Sequence, residues 1–133
     1  MRSLAAIALT VFLCAFTCED AEDMRIDGTY TGEFQRIDPK ADYPVSNVTL
    51  TFTNGRFEGT SSQPKYPAIC KGTYSIDGDD VTFKDECYWT AEFDWTLILS
   101  GEFKVSGTKD LLVMKGQRGE GISDVYRLRR ERQ

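Results

Sequence analysis

The chain has 133 residues, with 16 basic against 21 acidic side chains and no histidine. A formal net charge of −5 speaks against a nucleic-acid partner, which calls for a basic footprint. The lack of histidine removes the commonest general base and metal ligand together with every Ser-His or Cys-His pair, and since no nucleophile–base pair or metal cluster can be named, the expectation is a non-enzyme without cofactor or metal.

Taken in order, the chain opens with Met1-Arg2-Ser3 and an apolar run from Leu4 to Thr17, shorter than a membrane-spanning helix requires. One positive charge, a short apolar core and a polar continuation read as a signal peptide over residues 1–17. The run ends in Ala15-Phe16-Thr17-Cys18, which resembles the lipobox of bacterial lipoproteins and implies lipidation of Cys18 as the mature N-terminus. Ordinary cleavage, giving a soluble secreted protein, is the alternative. Residues 18–25, with Glu19, Asp20, Glu22 and Asp23, read as a solvated acidic tether, and residues 26–130 as the folded domain. Only Arg2 precedes Cys18, so the mature part holds 15 basic against 21 acidic residues, a net charge of −6.

From Ile26 onward the pattern is strands and turns. Gly28, Tyr30, Gly32 and Phe34 alternate with polar residues, and Val48, Leu50 and Phe52 alternate with Thr49, Thr51 and Thr53, each giving a strand with one dry face. Asn54-Gly55 is a hairpin signal, and with those two residues as the loop Phe52 faces Phe57. A second hairpin is expected around Asp77-Gly78-Asp79-Asp80. Pairing about its centre opposes Ile76 to Val81, Tyr74 to Phe83, Gly72 to Asp85, and Cys70 to Cys87. Opposed strand residues lie within disulfide reach, and an exported chain favours the bond. The acidic turn lacks the spacing of a calcium loop and is read as a turn.

Phe93 to Val105 is expected to be the long central strand, with Phe93, Trp95, Leu97, Leu99, Phe103 and Val105 on its dry side. Leu111 to Lys115 follows, then a loop over Gly116–Gly121, then a closing strand Asp124 to Arg130. The arginines Arg127, Arg129, Arg130 and Arg132 are read as protecting a sheet edge. Asn47-Val48-Thr49 is a glycosylation sequon, relevant only in a eukaryotic host. About eight short antiparallel strands predict an all-β fold, a single small barrel.

Gly28-Thr29-Tyr30, Gly72-Thr73-Tyr74, the long Trp95–Val105 segment and the closing Asp124-Val125-Tyr126-Arg127-Leu128 together resemble small lipocalin-like (calycin-type) lipoproteins of bacterial envelopes. Tyr30 stands where the lipocalin signature has a tryptophan, and Arg127 or Arg129 would supply the arginine that packs over it. The resemblance implies a lipocalin-like barrel and an envelope location more than an activity. Two function classes follow. In the first, Tyr30, Phe34, Phe52, Phe57, Tyr74, Phe83, Asp85, Trp95, Leu97, Phe103 and Tyr126 line a cavity for a small hydrophobic or amphipathic ligand, with Asp85 either meeting the ligand or standing in water at the rim. In the second, the same aromatics fill the barrel, and loops such as Asp38–Pro44 and Gln63–Pro67 engage an envelope protein or polysaccharide. Either protein would be exported, and held to a membrane through Cys18 or, if Cys18 is not lipidated, secreted.

Overall fold

The computed structural model describes residues 25–132; the signal peptide and Cys18 lie outside them. The strands are β1 (Gly28–Ile37), β2 (Ser46–Thr53), β3 (Arg56–Ser61), β4 (Lys71–Asp77), β5 (Asp80–Asp85), β6 (Gly101–Gly107), β7 (Leu111–Gly119) and β8 (Ile122–Arg130). They pair in sequence order, all antiparallel, and β8 returns to β1 to close a barrel. Both expected hairpins form in the expected register: Phe52 opposes Phe57, Tyr74 opposes Phe83, and Gly72 opposes Asp85. Cys70 and Cys87 stand one residue beyond β4 and two beyond β5, and are joined by a disulfide with a Cα separation of 6.3 Å.

The sequence departs from its own pattern most at the expected central strand. Only Gly101–Gly107 is strand, and Trp95–Leu97 is a turn of 3₁₀ helix. Asp94 is the cause, because its carboxylate accepts from the Thr96 backbone N–H at 2.9 Å and from the Thr96 hydroxyl at 2.6 Å. A short acidic side chain bonding to the backbone two residues on offers an alternative to a ladder. The segment then pairs briefly with the β3–β4 connection, Ala68 donating to the Leu97 carbonyl and Leu99 to that of Ala68, both at 3.0 Å. Gly101 has φ +86°, and it is here, in a conformation that other residues adopt at a cost, that the chain enters β6.

Two further expectations change. Gly116 to Gly119 continues β7 instead of forming a loop, because Gly116 faces inward and the Phe103 ring occupies the space a side chain would need. The arginine-bearing β8 is not an edge, being hydrogen-bonded to both β7 and β1; closure removes the edges that such residues would protect. At Gly32 a Cβ would collide with the Arg127 carbonyl of β8, so the tight coil between β1 and β8 depends on that glycine.

The two ends differ. The hairpin end carries the short turns at Asn54-Gly55, Gly78-Asp79 and Thr108–Asp110, together with the start of β1 and the end of β8. Ile26 is buried there, Asp27 accepts from the Asn54 backbone and the Tyr74 hydroxyl, and the Tyr30 hydroxyl donates to the Lys109 carbonyl at 2.8 Å. The loop end carries the longer connections 38–45, 62–70 and 86–100 and the short turn at 120–121.

Candidate functional site

Inside the barrel the aromatic side chains form one continuous set of contacts. Tyr30 meets Phe52 edge-on at 5.7 Å between ring centroids, Phe52 lies 6.2 Å from Phe83, Phe83 5.5 Å from Phe103, Phe103 5.7 Å from Tyr126, and Tyr126 4.9 Å from Phe34. Phe57 packs on Phe83 at 5.3 Å and Tyr74 on Phe52 at 5.2 Å. These are the separations of directly packed rings. All of them except the half-buried Tyr74 are buried, as are Leu50, Leu99, Leu112 and Met114 among them. Burial raises the hydroxyl pKa of Tyr30 and of Tyr126; burial and then the neighbouring Asp27 push Tyr74 up to about 12.

The remaining residues expected to line a cavity lie elsewhere. Leu97 is half-buried at the margin of the core. Asp85 is half-buried at the end of β5 and accepts a 2.6 Å hydrogen bond from the Trp89 indole. Trp95 is 56% exposed, outside the barrel. Two concavities of about 930 and 940 Å³ open on the outer face and at the hairpin end, and none of the residues expected to line a cavity borders either.

Organisation concentrates at the loop end. Arg36, at the end of β1, is only 4% exposed. Its Nε and Nη2 donate to the two carboxylate oxygens of buried Asp124 at 2.7 and 3.0 Å, Nη1 donates to Asp94 at 3.1 Å, and Nη2 also to the Thr96 carbonyl at 3.2 Å. Burial works against its charge, but hydrogen bonding and attraction to Asp124 and Asp94 outweigh this, and its pKa is raised. Hydrogen bonds from Thr96 and the charge of Arg36 hold the Asp94 carboxyl below its ordinary range. A fork donating to a carboxylate is the strong form of this interaction, so one guanidinium ties β1, β8 and the 86–100 connection together. Arg118 Nε lies 3.4 Å from Asp124 Oδ2, the oxygen that also accepts from Arg36 Nη2, with its guanidinium 4.6 Å above the Phe103 ring.

The 86–100 connection is braced at several other points. The disulfide fixes its start through Cys87, Ala68 pairs near its end, and Lys65 of the 62–70 connection lies 5.0 Å over the Phe93 ring while donating to the Thr90 hydroxyl at 2.9 Å. Trp89 packs edge-on to Phe93 at 5.7 Å. Tyr66 joins the first two long connections: its hydroxyl donates to the Pro44 carbonyl at 2.8 Å, and its ring packs edge-on to Phe34 and parallel to Tyr43. On this frame Trp95 is held by its indole N–H, which donates to the Thr90 carbonyl at 2.9 Å, while Tyr88 is fully exposed. In the four connections of this end, Lys40 and Lys65 stand against Asp38, Asp42, Glu86, Glu92, Asp94 and Glu120, a formal net charge of −4.

The sequence missed Arg36, Asp94 and Asp124 as a cluster. The one available signal was an arginine and an aspartate at inward-facing positions of the first and last strands. Among the described residues no group of three or more His, Cys, Asp or Glu side chains is placed to hold a metal ion. The Asp77–Asp80 turn is bound instead by Lys104, whose ammonium lies 3.4 Å from Asp79 and 2.6 Å from Asp80. Comparison with family models, curated proteins and solved structures returned no match for this chain.

Proposed function

We propose that this protein is an exported interaction module that recognises a partner through the loop end of a filled barrel. The observation that carries the reading is Trp95: a large apolar side chain left more than half exposed, yet held by its indole hydrogen bond on a turn that buried Arg36 clamps. Tryptophan and tyrosine dominate the anchor residues of protein interfaces, and an anchor already fixed in place loses less entropy on binding. The packed interior supports the same reading over the alternative of a small hydrophobic ligand, because the rings that would line a cup contact one another.

The disulfide fits an oxidising compartment, and the signal-like Met1–Thr17 segment fits export, with Cys18 as the anchoring residue. The partner is proposed to be a protein with a basic rim around an apolar pocket, complementary to the −4 charge of this end. Photo-crosslinking from position 88 in the native host tests the proposal. One specific partner should be captured, and capture should fail with Trp95→Ala. Equal capture with and without the indole would refute the role given to it, and capture of glycan alone would replace a protein partner by a polysaccharide.

A further inference from the structure

The arginines of β8 are unexplained by the closed sheet, since a strand paired on both sides has no edge to protect. Arg129 and Arg130 of β8, with Arg132 just beyond it, border a concavity at the hairpin end, about 940 Å³ in volume, that Lys109 of the β6–β7 turn also lines. Among the described residues none of these four cations makes an ion pair. Two carboxylates, Asp110 and Glu131, share the site, so a locally cationic patch stands on the β7–β8 side of this end. Asp27 and the Asp77–Asp80 turn on the opposite side lie outside it, and the acidic residues 19–23 precede β1 in the sequence. Leu111, 51% exposed, lies on the same rim and leads into the outer groove lined by Val113 and Arg127.

We infer that the β7–β8 side of the hairpin end is a docking surface for a membrane carrying anionic lipid, with Lys109, Arg129, Arg130 and Arg132 meeting headgroup phosphates and Leu111 entering the interface. Charge complementarity is the first argument. Basic side chains beside an exposed aliphatic one are what an anionic bilayer surface attracts, and a chain acidic overall would otherwise be repelled. The second argument is where the chain enters the barrel. Residue 25 adjoins the start of β1 at this end, and the seven intervals between Cys18 and Arg25 span at most about 25 Å when fully extended. On the reading that Cys18 carries an acyl anchor, this end therefore stays beside the bilayer, and the −4 loop end is turned away from it. The patch would then act as the second signal that stable membrane attachment uses alongside lipid.

The test uses protein carrying Cys18→Ser, so the outcome does not depend on whether the native chain is acylated. Sedimentation with phosphatidylglycerol-containing vesicles should show binding that phosphatidylcholine vesicles do not support and that rising salt weakens. Arg129→Glu with Arg132→Glu, both exposed positions, should lower binding to anionic vesicles at least about tenfold while leaving the thermal midpoint within a degree or two, about the range of a surface change. Trp95→Ala should leave vesicle binding unchanged. Absence of any preference for anionic vesicles, binding undiminished in the double variant, or binding lost with Trp95→Ala would each overturn the inference.

Discussion

Replacing Arg36 by methionine should be among the most damaging single changes in this barrel. The side chain keeps most of its volume, so the loss is electrostatic. Asp124 remains buried with its bidentate partner gone, and Arg118 is left as the nearest cation at 3.4 Å. Breaking a buried pair from one side costs about 3–5 kcal/mol, because a charge stays in a poor solvent. In a domain whose total stability is on the order of 5–15 kcal/mol, that is about a fifth of the total or more. The change also removes the donors to Asp94 and to the Thr96 carbonyl, so the 86–100 connection should loosen before the barrel melts. Urea denaturation followed by far-ultraviolet circular dichroism reads the first effect, and the fluorescence of Trp89 and Trp95, both in that connection, reads the second. Replacing both partners, Arg36→Met with Asp124→Leu, should recover much of the loss, as apolar replacements of buried pairs do. A loss below about 1 kcal/mol for Arg36→Met, the scale of a solvent-screened pair, would refute the view that this guanidinium joins the barrel to its loops.

Removing the disulfide with Cys70→Ser and Cys87→Ser opens a link spanning a sequence separation of 17 and should cost roughly 3 kcal/mol by the chain-entropy argument; denatured, unreduced protein should show neither thiol reactive. Phe83→Ala or Phe103→Ala should cost about 3–5 kcal/mol as buried aromatic truncations, whereas Trp95→Ala should cost less than about 1 kcal/mol, and equal losses in denaturation would return Trp95 to the core. Because the folded pKa of Tyr74 is raised to about 12, its contribution is complete below the unfolded value of about 10 and is lost as pH rises through the folded one; alkaline melts should show this loss, and Tyr74→Phe should reduce it. Asp94 runs the other way: its lowered pKa means stabilisation present above the unfolded value of about 3.9 and lost as pH falls through the folded value, which Asp94→Asn should blunt in acid titrations of Trp95 fluorescence recorded in a Trp89→Phe background, since Trp89 is the other tryptophan.

Where local chemistry determines structure, the residues were legible. The Asn54-Gly55 turn and the Asp77–Asp80 turn each set a register, and the second brings Cys70 and Cys87 within bonding distance without further assumption. Period-two alternation marked β1 and β2 and named most of the buried rings. It misled at Phe93–Leu99, where the same alternation arises in a connection at the loop end that holds a turn of 3₁₀ helix. There a capping aspartate and pairing with Ala68, distant in sequence, override strand propensity. Gly116 to Gly119 was misread for a related reason: glycine suggests a turn until the ring that fills its place is known. The Arg36–Asp124 pair was not legible, because which inward positions of the first and last strands meet depends on how the barrel closes. Whether the rings line a cup or fill it likewise depends on which of them meet across the closed sheet, as Phe52 and Phe83 do.

Native mass spectrometry of the protein purified from its source without denaturation tests the filled interior most directly. The account predicts a polypeptide with an intact Cys70–Cys87 bond and no small molecule released on activation. A stoichiometric hydrophobic ligand, bound by the wild type and lost on filling or truncating Phe52, Phe83 or Tyr126, would contradict it.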